Sequence, residues 1–309
     1  MPTLPSAVLG LVGLGLAAAA AAQDVQAPPV FKSTLDTVNV TVSVRDRDGH
    51  LVSDLKAEDF LLFEDGHPQR VQVFARAVEP GQEQALALDV GMLMDTSESM
   101  LKVLRLSQEA AVRFLENIPR AHDLVTIFFD NDIRISRFDS ENQQGLFERI
   151  MSSKANGTTA LYDAITVYLS RVEDAPGRKV LVVFTDGEDS TSSISLSDLV
   201  HMLRSSSVIV YPIAMMGAMP TGSTRAITSM AFLRQVAELT GGQVFQPTYS
   251  GDLPKIYRSI LDELQSQYVL GFSSDNAKRD GKFRQLRVAV KRQGLKVRHR
   301  QGYYAAPSG

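Results

Sequence analysis

The chain has no cysteine and no tryptophan in 309 residues, and the first absence excludes the most. Without a thiol there can be no disulfide frame, no thiolate metal site and no cysteine nucleophile. Net charge is nearly absent as well: 32 Lys and Arg against 35 Asp and Glu leave −3, which on its own favours no class of partner. Catalytic signatures are also missing. There is no Gly-x-Ser-x-Gly elbow, no phosphate-cradling Walker loop and no His-Glu-x-x-His helix, and the five histidines (His50, His67, His122, His201, His299) lie far apart. No convincing membrane span is present either, because the apolar run Val8 to Ala22 is too short and too rich in alanine. It ends in small residues just before Gln23, where a signal peptidase would cut. Residues 1–22 are therefore read as a cleaved signal peptide, in preference to a retained anchor, and the mature chain as secreted or periplasmic.

What is there suits a globular protein of more than one part. A hydrophobic content of 44% is enough for a proper core, and the length fits one medium α/β domain with a smaller partner. Charge is unevenly spread. Lys278 to Arg300 holds ten basic residues and one acid, a local +9, so the rest of the chain carries −3 − 9 = −12. Along Arg287, Val288, Ala289, Val290 and Lys291 the basic tail alternates like a strand with one wet face, and protective charge on a sheet edge is the preferred reading. Adhesion to an anionic surface is the alternative; nucleic acid does not suit an exported chain.

The pattern of the chain divides it into three. After a spacer at Gln23 to Val30, alternating Val38, Val40, Val42 and Val44 predict a half-buried strand. Phe60 to Phe63 and Val71 to Phe74, flanking Asp65-Gly66, predict a hairpin. Asp46-Arg47-Asp48-Gly49 is a turn: aligned as a calcium loop it would place Val44 and Leu55 at ligand positions. From Ala85 the period changes. Leu86 to Met94 reads as a buried strand, and Leu101, Leu104, Ala111, Leu115 and Ile118 as one face of a helix ending before Pro119. Strands at Leu124 to Phe129, Ile133 to Phe138, Val180 to Phe184 and Val208 to Ile213 follow, with an edge strand at Gln243 to Gln246. Helices fall at Leu161 to Val172, after Ser195 with its cap-like Asp198, at Ala231 to Leu239 and at Leu253 to Leu264. Such alternation predicts an α/β, doubly wound, Rossmann-like sheet. The tail returns to β at Tyr268 to Phe272, Leu286 to Val290 and Leu295 to Arg298. Neither β segment has enough strands to stand alone. The expectation is one antiparallel β-sandwich built from residues 31–80 and 267–306, with the α/β domain, residues 85–266, inserted between its halves.

Five side chains carry the chemistry. Asp95, Ser97 and Ser99 directly follow the first buried strand, Thr159 sits in the loop Asn156-Gly157-Thr158-Thr159, and Asp186 follows the Val180 strand. In an open parallel sheet the carboxyl ends of strands gather at one edge, so all five are expected on one face. Two carboxylates and three hydroxyls are hard oxygen donors that suit a divalent cation, Mg²⁺ above all, with Mn²⁺ or Ca²⁺ as alternatives. Because only two of them carry charge, the ion keeps an affinity for an outside carboxylate. Ser99 is also placed to cap a helix starting at Met100. Glu188 and Asp189 read as solvated loop acids rather than ligands; Asp130 and Asp132, after the Leu124 strand, read as turn residues, with a supporting place behind the ligands as the alternative.

Asp95-x-Ser97-x-Ser99, then Thr159 within Gly157-Thr158-Thr159-Ala160-Leu161-Tyr162, then Thr185-Asp186-Gly187-Glu188 resembles the metal-ion-dependent adhesion site of von Willebrand factor A-type domains. The flanks resemble the von Willebrand factor A-related proteins of acidobacteria, through Phe31-Lys32-Ser33, Leu55-Lys56-Ala57-Glu58-Asp59-Phe60, Phe63-Glu64-Asp65-Gly66, Tyr268-Val269-Leu270-Gly271 and Gly302-Tyr303-Tyr304. The resemblance implies a Rossmann-like adhesion fold with a divalent metal, binding a partner protein that offers an Asp or Glu carboxylate. A structural or assembly factor of an envelope complex is the alternative. A metal-assisted hydrolase is disfavoured, since Ser97 stands where haloacid-dehalogenase-type enzymes need a second Asp; the chain is not expected to be an enzyme.

Overall fold

The structure, a computed structural model, describes residues 37–78, 86–118, 121–138, 143–220 and 222–307. The signal segment, the spacer and Phe31-Lys32-Ser33 lie outside the described residues. The first strand, β1 (Thr37–Arg45), turns Val40, Val42 and Val44 completely inward, as their period of two requires. Then come β2 (Phe60–Glu64), β3 (His67–Gln69) and β4 (Val73–Arg76). The Asp65-Gly66 turn does form, with φ of 48° and 83°, the positive values a two-residue hairpin turn needs. Its return strand is β3, not Val71 to Phe74. Two-residue closure pairs Glu64 with His67, and the later residues cross to another sheet as β4, against β10.

The α/β part begins with β5 (Leu88–Asp95), buried at every residue. It continues through α1 (Leu104–Asn117), β6 (Asp123–Phe129), β7 (Ile133–Phe138), α2 (Gln143–Ser152), α3 (Leu161–Arg171), β8 (Arg178–Thr185), α4 (Leu196–Ser205), β9 (Val208–Ala214), α5 (Thr224–Thr240) and α6 (Leu253–Ser266). The strand order is β7-β6-β5-β8-β9, all parallel except β7. Helices cover both faces. Phe114 and Tyr257 pack on one side in a core that includes Met92 and Phe184, and Tyr168, Leu199 and Phe232 on the other against Leu93 and Val183. Tyr168 explains a glycine in the middle strand. A Cβ on Gly91 would lie 2.3 Å from its ring, whose hydroxyl donates to Val180 O at 2.9 Å across the sheet.

Three details differ from the sequence reading. Leu101 is 66% exposed and precedes α1, because a 3-10 turn at Glu98–Met100 uses up the residues before the helix. Phe245 makes only an isolated bridge to Ile213, so Gln243 to Gln246 is not a strand; Gly241 O and the Gln243 side chain instead accept from Arg298. Helix α2 has no counterpart in the sequence reading.

The chain closes with β10 (Tyr268–Ser273), β11 (Phe283–Val290), β12 (Lys296–Arg298) and β13 (Gly302–Tyr304). Two antiparallel sheets result, β12-β1-β10-β4 and β13-β11-β2-β3, and each mixes strands from both ends of the chain. Val40, Val42, Leu270 and Phe272 of one sheet and Phe60, Leu62, Leu286 and Val288 of the other share one core. Strand β11 alternates as its charges foretold, but it lies between β13 and β2, not at an edge. Its Arg284 is buried and bonds Asp280 at 2.9 Å, while Arg287 stacks over Phe63.

Candidate metal centre

Asp95 is the last residue of β5 and Asp186 the first after β8. These strands are hydrogen-bonded neighbours running the same way, so both carboxylates emerge at one edge of the sheet. Both are buried, as are Ser97 and Thr159. The Asp95 loop folds on itself: Ser97 Oγ donates to Asp95 Oδ1 at 2.6 Å and lies 3.1 Å from Ser99 Oγ. The Ser99 hydroxyl also bonds Asp186. It therefore caps no helix, and α1 starts later, with Val103 at its N-cap.

Thr159 is brought to the same edge by its backbone neighbours. Glu98 N donates to Gly157 O at 3.0 Å and Asn156 N to Thr96 O at 2.8 Å, tying the two loops together. On the other side Thr159 N donates to Ser190 Oγ at 3.0 Å, and Thr159 O accepts from Ser190 and Thr191. Asp95 at the end of β5 and the other four predicted residues in the loops beyond it, before α3 and after β8 thus lie in segments that are hydrogen-bonded to one another.

Electrostatically these carboxyls are unfinished. Burial pushes Asp95 up to about 7; hydrogen bonds from Ser97 and Thr185 restrain the rise, and the charge of Asp186 adds to it. Burial raises Asp186 too, against the bond from Ser99 and the charge of Arg225. Asp186 Oδ2 is buried with no hydrogen-bond partner. Two desolvated carboxyls, one with an orphaned oxygen, and hydroxyls turned toward them form a donor set that a hard divalent cation fits. Its charge would reverse both shifts.

Several supporting residues escaped the sequence reading. Thr185 Oγ1 donates to Asp95 Oδ2 at 2.6 Å; its place directly before Asp186 at a strand end was the available signal. Asp130, read as a turn acid with a supporting place as the alternative, does stand behind the loop. Although burial opposes its ionisation, Arg134 and the bonds around it hold it below the usual carboxylate range. It accepts from Arg134 at 2.6 Å and from Thr96 Oγ1 at 3.2 Å, pinning the loop after Asp95. Asp189 caps α3 from a distance, accepting from Tyr162 N at 3.0 Å. Glu188 is ion-paired with Arg225. Far from these, Asp46, Asp48 and His50 bring potential ligand atoms within 4.8 Å of one another. Asp46 Oδ1, however, accepts from the backbone N of Asp48 and His50, which makes this the turn read from sequence.

The fold defines a Rossmann-like α/β domain with helices on both faces of its sheet. The family model for the von Willebrand factor type A domain matches residues 89–259, more than half of the chain, and the protein belongs to that family. Domains of this kind mediate protein–protein contacts, often bind a divalent metal and are generally not enzymes. No curated protein matches the chain. Among solved structures it is similar to a von Willebrand factor type A protein from Catenulispora acidiphila, with TM-score 0.47 and 12% identity over 90% of this chain and 76% of that one. An aerotolerance-related membrane protein from Bacteroides fragilis gives 0.46 and 16% over 58% and 98%. The conserved hypothetical protein BatB from Bacteroides thetaiotaomicron gives 0.45 and 15% over 58% and 100%. Among the described residues no helix is long and apolar enough to cross a membrane.

Proposed function

We propose that this interaction module captures a partner protein through a divalent cation held by Asp95, Ser97, Ser99, Thr159 and Asp186, with the partner's Asp or Glu carboxylate completing the coordination. The observation that carries the proposal is the pair of buried carboxyls with an orphaned Asp186 Oδ2. The cation supplies Lewis acidity toward an outside oxygen. The chain's own residues do the rest: Thr185 and Ser97 orient Asp95, Ser99 bridges toward Asp186, and Asp130 with Arg134 fixes Thr96. Mg²⁺ fits this oxygen set, with Mn²⁺ and Ca²⁺ as the alternatives. We take residues 85–266 as the inserted adhesion domain and residues 31–80 and 267–306 as its sandwich, in a chain exported by a signal peptide at 1–22.

The test is a pull-down from envelope extract. Capture in Mg²⁺ should be lost in EDTA and lost equally in Asp95→Ala and Asp186→Ala; capture that survives all three treatments refutes the mechanism. A second reading, a structural factor of an envelope complex, draws on α6 passing into β10 through Gln267 alone, a residue whose side chain is itself bonded to Arg178 and Tyr211. On that reading Mg²⁺ raises the melting temperature and leaves partner affinity unchanged.

A further inference from the structure

A second charged site lies where the α/β part meets the sandwich, at the opposite end of β8 from Asp186. The strand opens with Arg178 and Lys179 and ends at Thr185, seven steps or about 23 Å away. A cleft of about 610 Å³ there is lined by both residues and by Arg300, Asn39, Ser205 and Tyr303. Arg178 and Lys179 are only 5% and 8% exposed, and Arg300 is partly buried. Among the described residues none of the three is ion-paired. Arg178 bonds Leu264 O, Gln267 Oε1 and, at 3.5 Å, Leu86 O; Lys179 Nζ donates to Glu173 O at 2.8 Å; and Arg300 donates to Asn39 O at 2.8 Å and Ser206 O at 3.4 Å. The Nε atoms of Arg178 and Arg300 are buried with no partner.

Three acids lie nearby, none of them in an ion pair with this group. Glu173 and Asp174 stand exposed at the mouth. Asp89, beside Lys179 on β5, is bonded to His122 at 2.8 Å through one oxygen; its other oxygen is buried without a partner, and its charge supports that of Lys179. Burial lowers the pKa of all three cations, Arg178 and Arg300 to about 10, so each is held charged at a cost that an anion would relieve. Two planar guanidinium groups, each with an unpartnered Nε, beside one ammonium point charge and with no carboxylate in ion-pair contact, are what a multiply charged oxyanion needs.

We propose that this seam cleft binds a phosphate-type oxyanion, inorganic phosphate or a phosphate monoester, through Arg178, Lys179 and Arg300. Bound there, the anion would join β8 of the α/β domain to the tail of the sandwich, independently of the metal loops. The experiment is calorimetric titration of the full chain with inorganic phosphate, after removal of metal by chelation and dialysis, against chloride at matched ionic strength. Saturable binding is expected, weakened about tenfold or more in Lys179→Gln and Arg300→Gln and unchanged in Asp95→Asn, which separates this site from the metal centre. Phenyl phosphate in a parallel titration distinguishes the sources: tighter binding than phosphate assigns an ester, equal binding the free ion. A phosphate response no larger than that of chloride, or full binding in the variants, overturns the proposal. Lys179 Nζ holds a single backbone carbonyl, so Lys179→Gln, with its fold verified by near-ultraviolet circular dichroism, decides the matter if Arg300→Gln fails to fold.

Discussion

Among the places where this molecule buries carboxylates, two are treated in opposite ways. Glu263 of α6 is fully buried where helix and sandwich meet. It accepts from Arg45 at 2.9 Å, Ser43 at 3.0 Å and Tyr211 at 2.6 Å, and is ion-paired with Arg298. Burial works against its charge, yet the cations around it hold its pKa below the usual value. Asp95 and Asp186 receive hydroxyls and each other, and their pKa values rise. The first carboxylate is finished by its own chain; the second pair is left for something from outside to finish. On the proposed function, that difference separates a joint from a site.

The largest expected effect breaks the joint. Glu263→Ala leaves Arg45 and Arg298 facing each other without their shared partner, and should destabilise the protein by about 3 kcal/mol. Denaturant unfolding should give the same loss with and without Mg²⁺. If Mg²⁺ restores the lost stability, the two regions are not independent.

Next in size is the metal effect. Mg²⁺ at a hundredfold excess over its dissociation constant should stabilise the wild type by about 2.7 kcal/mol and Asp95→Asn not at all. In the absence of metal Asp95→Asn should equal or exceed the wild type at pH 8, since it removes a desolvated charge. A metal-free variant markedly less stable than the metal-free wild type would mean that Asp95 serves the fold rather than an ion.

The third prediction sets the two carboxylate environments against each other by pH. Asp95 has a folded pKa raised from 3.8 to about 7, so the folded state binds the extra proton between those values. Its stabilising contribution is full below about 4 and is lost as pH rises toward 7 and beyond. Metal-free protein should therefore lose stability between pH 5 and pH 8, and Mg²⁺ should reverse that slope, because the ion requires both carboxyls deprotonated. Glu263, with its pKa depressed, behaves the other way: its contribution is present above its unfolded value of 4.5 and is lost as pH falls through the folded one. Unfolding curves at pH 5 and 8, with and without Mg²⁺, read the first, and curves continued below pH 4.5 read the second. A metal-free slope that survives in Asp95→Asn would assign it elsewhere.

The legibility of these two regions in the sequence differs for a physical reason. The five candidate ligands sit at strand ends and loops adjoining strongly periodic segments, so that topology alone brought Asp95, Thr159 and Asp186 to one edge. Glu263 gave no such signal. It lies on a helix whose other charged residues are solvated, and its partners Ser43, Arg45, Tyr211 and Arg298 come from three distant strands. Register could not be read either: Asp65-Gly66 announced a turn, but not that β3 would be three residues long and β4 would leave for the other sheet. Helix α2 was missed because Leu146 and Ile150 are its only fully buried apolar residues among those described, too few to set a period.

The smallest effect concerns the rim of the candidate centre, where Arg225 of α5 pairs with Glu188, two residues beyond Asp186. The Arg225 side chain is 64% exposed, so water screens the pair, and Arg225→Ala should cost less than about 1 kcal/mol of stability. Yet its charge reaches Asp186 and lowers that carboxyl's pKa against the rise from burial. Removing it leaves Asp186 easier to protonate, and at the same time takes a positive charge away from an incoming cation. These consequences oppose each other: the first weakens Mg²⁺ binding at lower pH, where a raised carboxyl competes for a proton, and the second strengthens it as pH rises and the carboxyls ionise. The ratio of Mg²⁺ affinities, variant over wild type, should therefore rise from pH 6 to pH 8, as measured by calorimetry. A ratio independent of pH would show that Arg225 acts on the loop's position and not on the charge of Asp186.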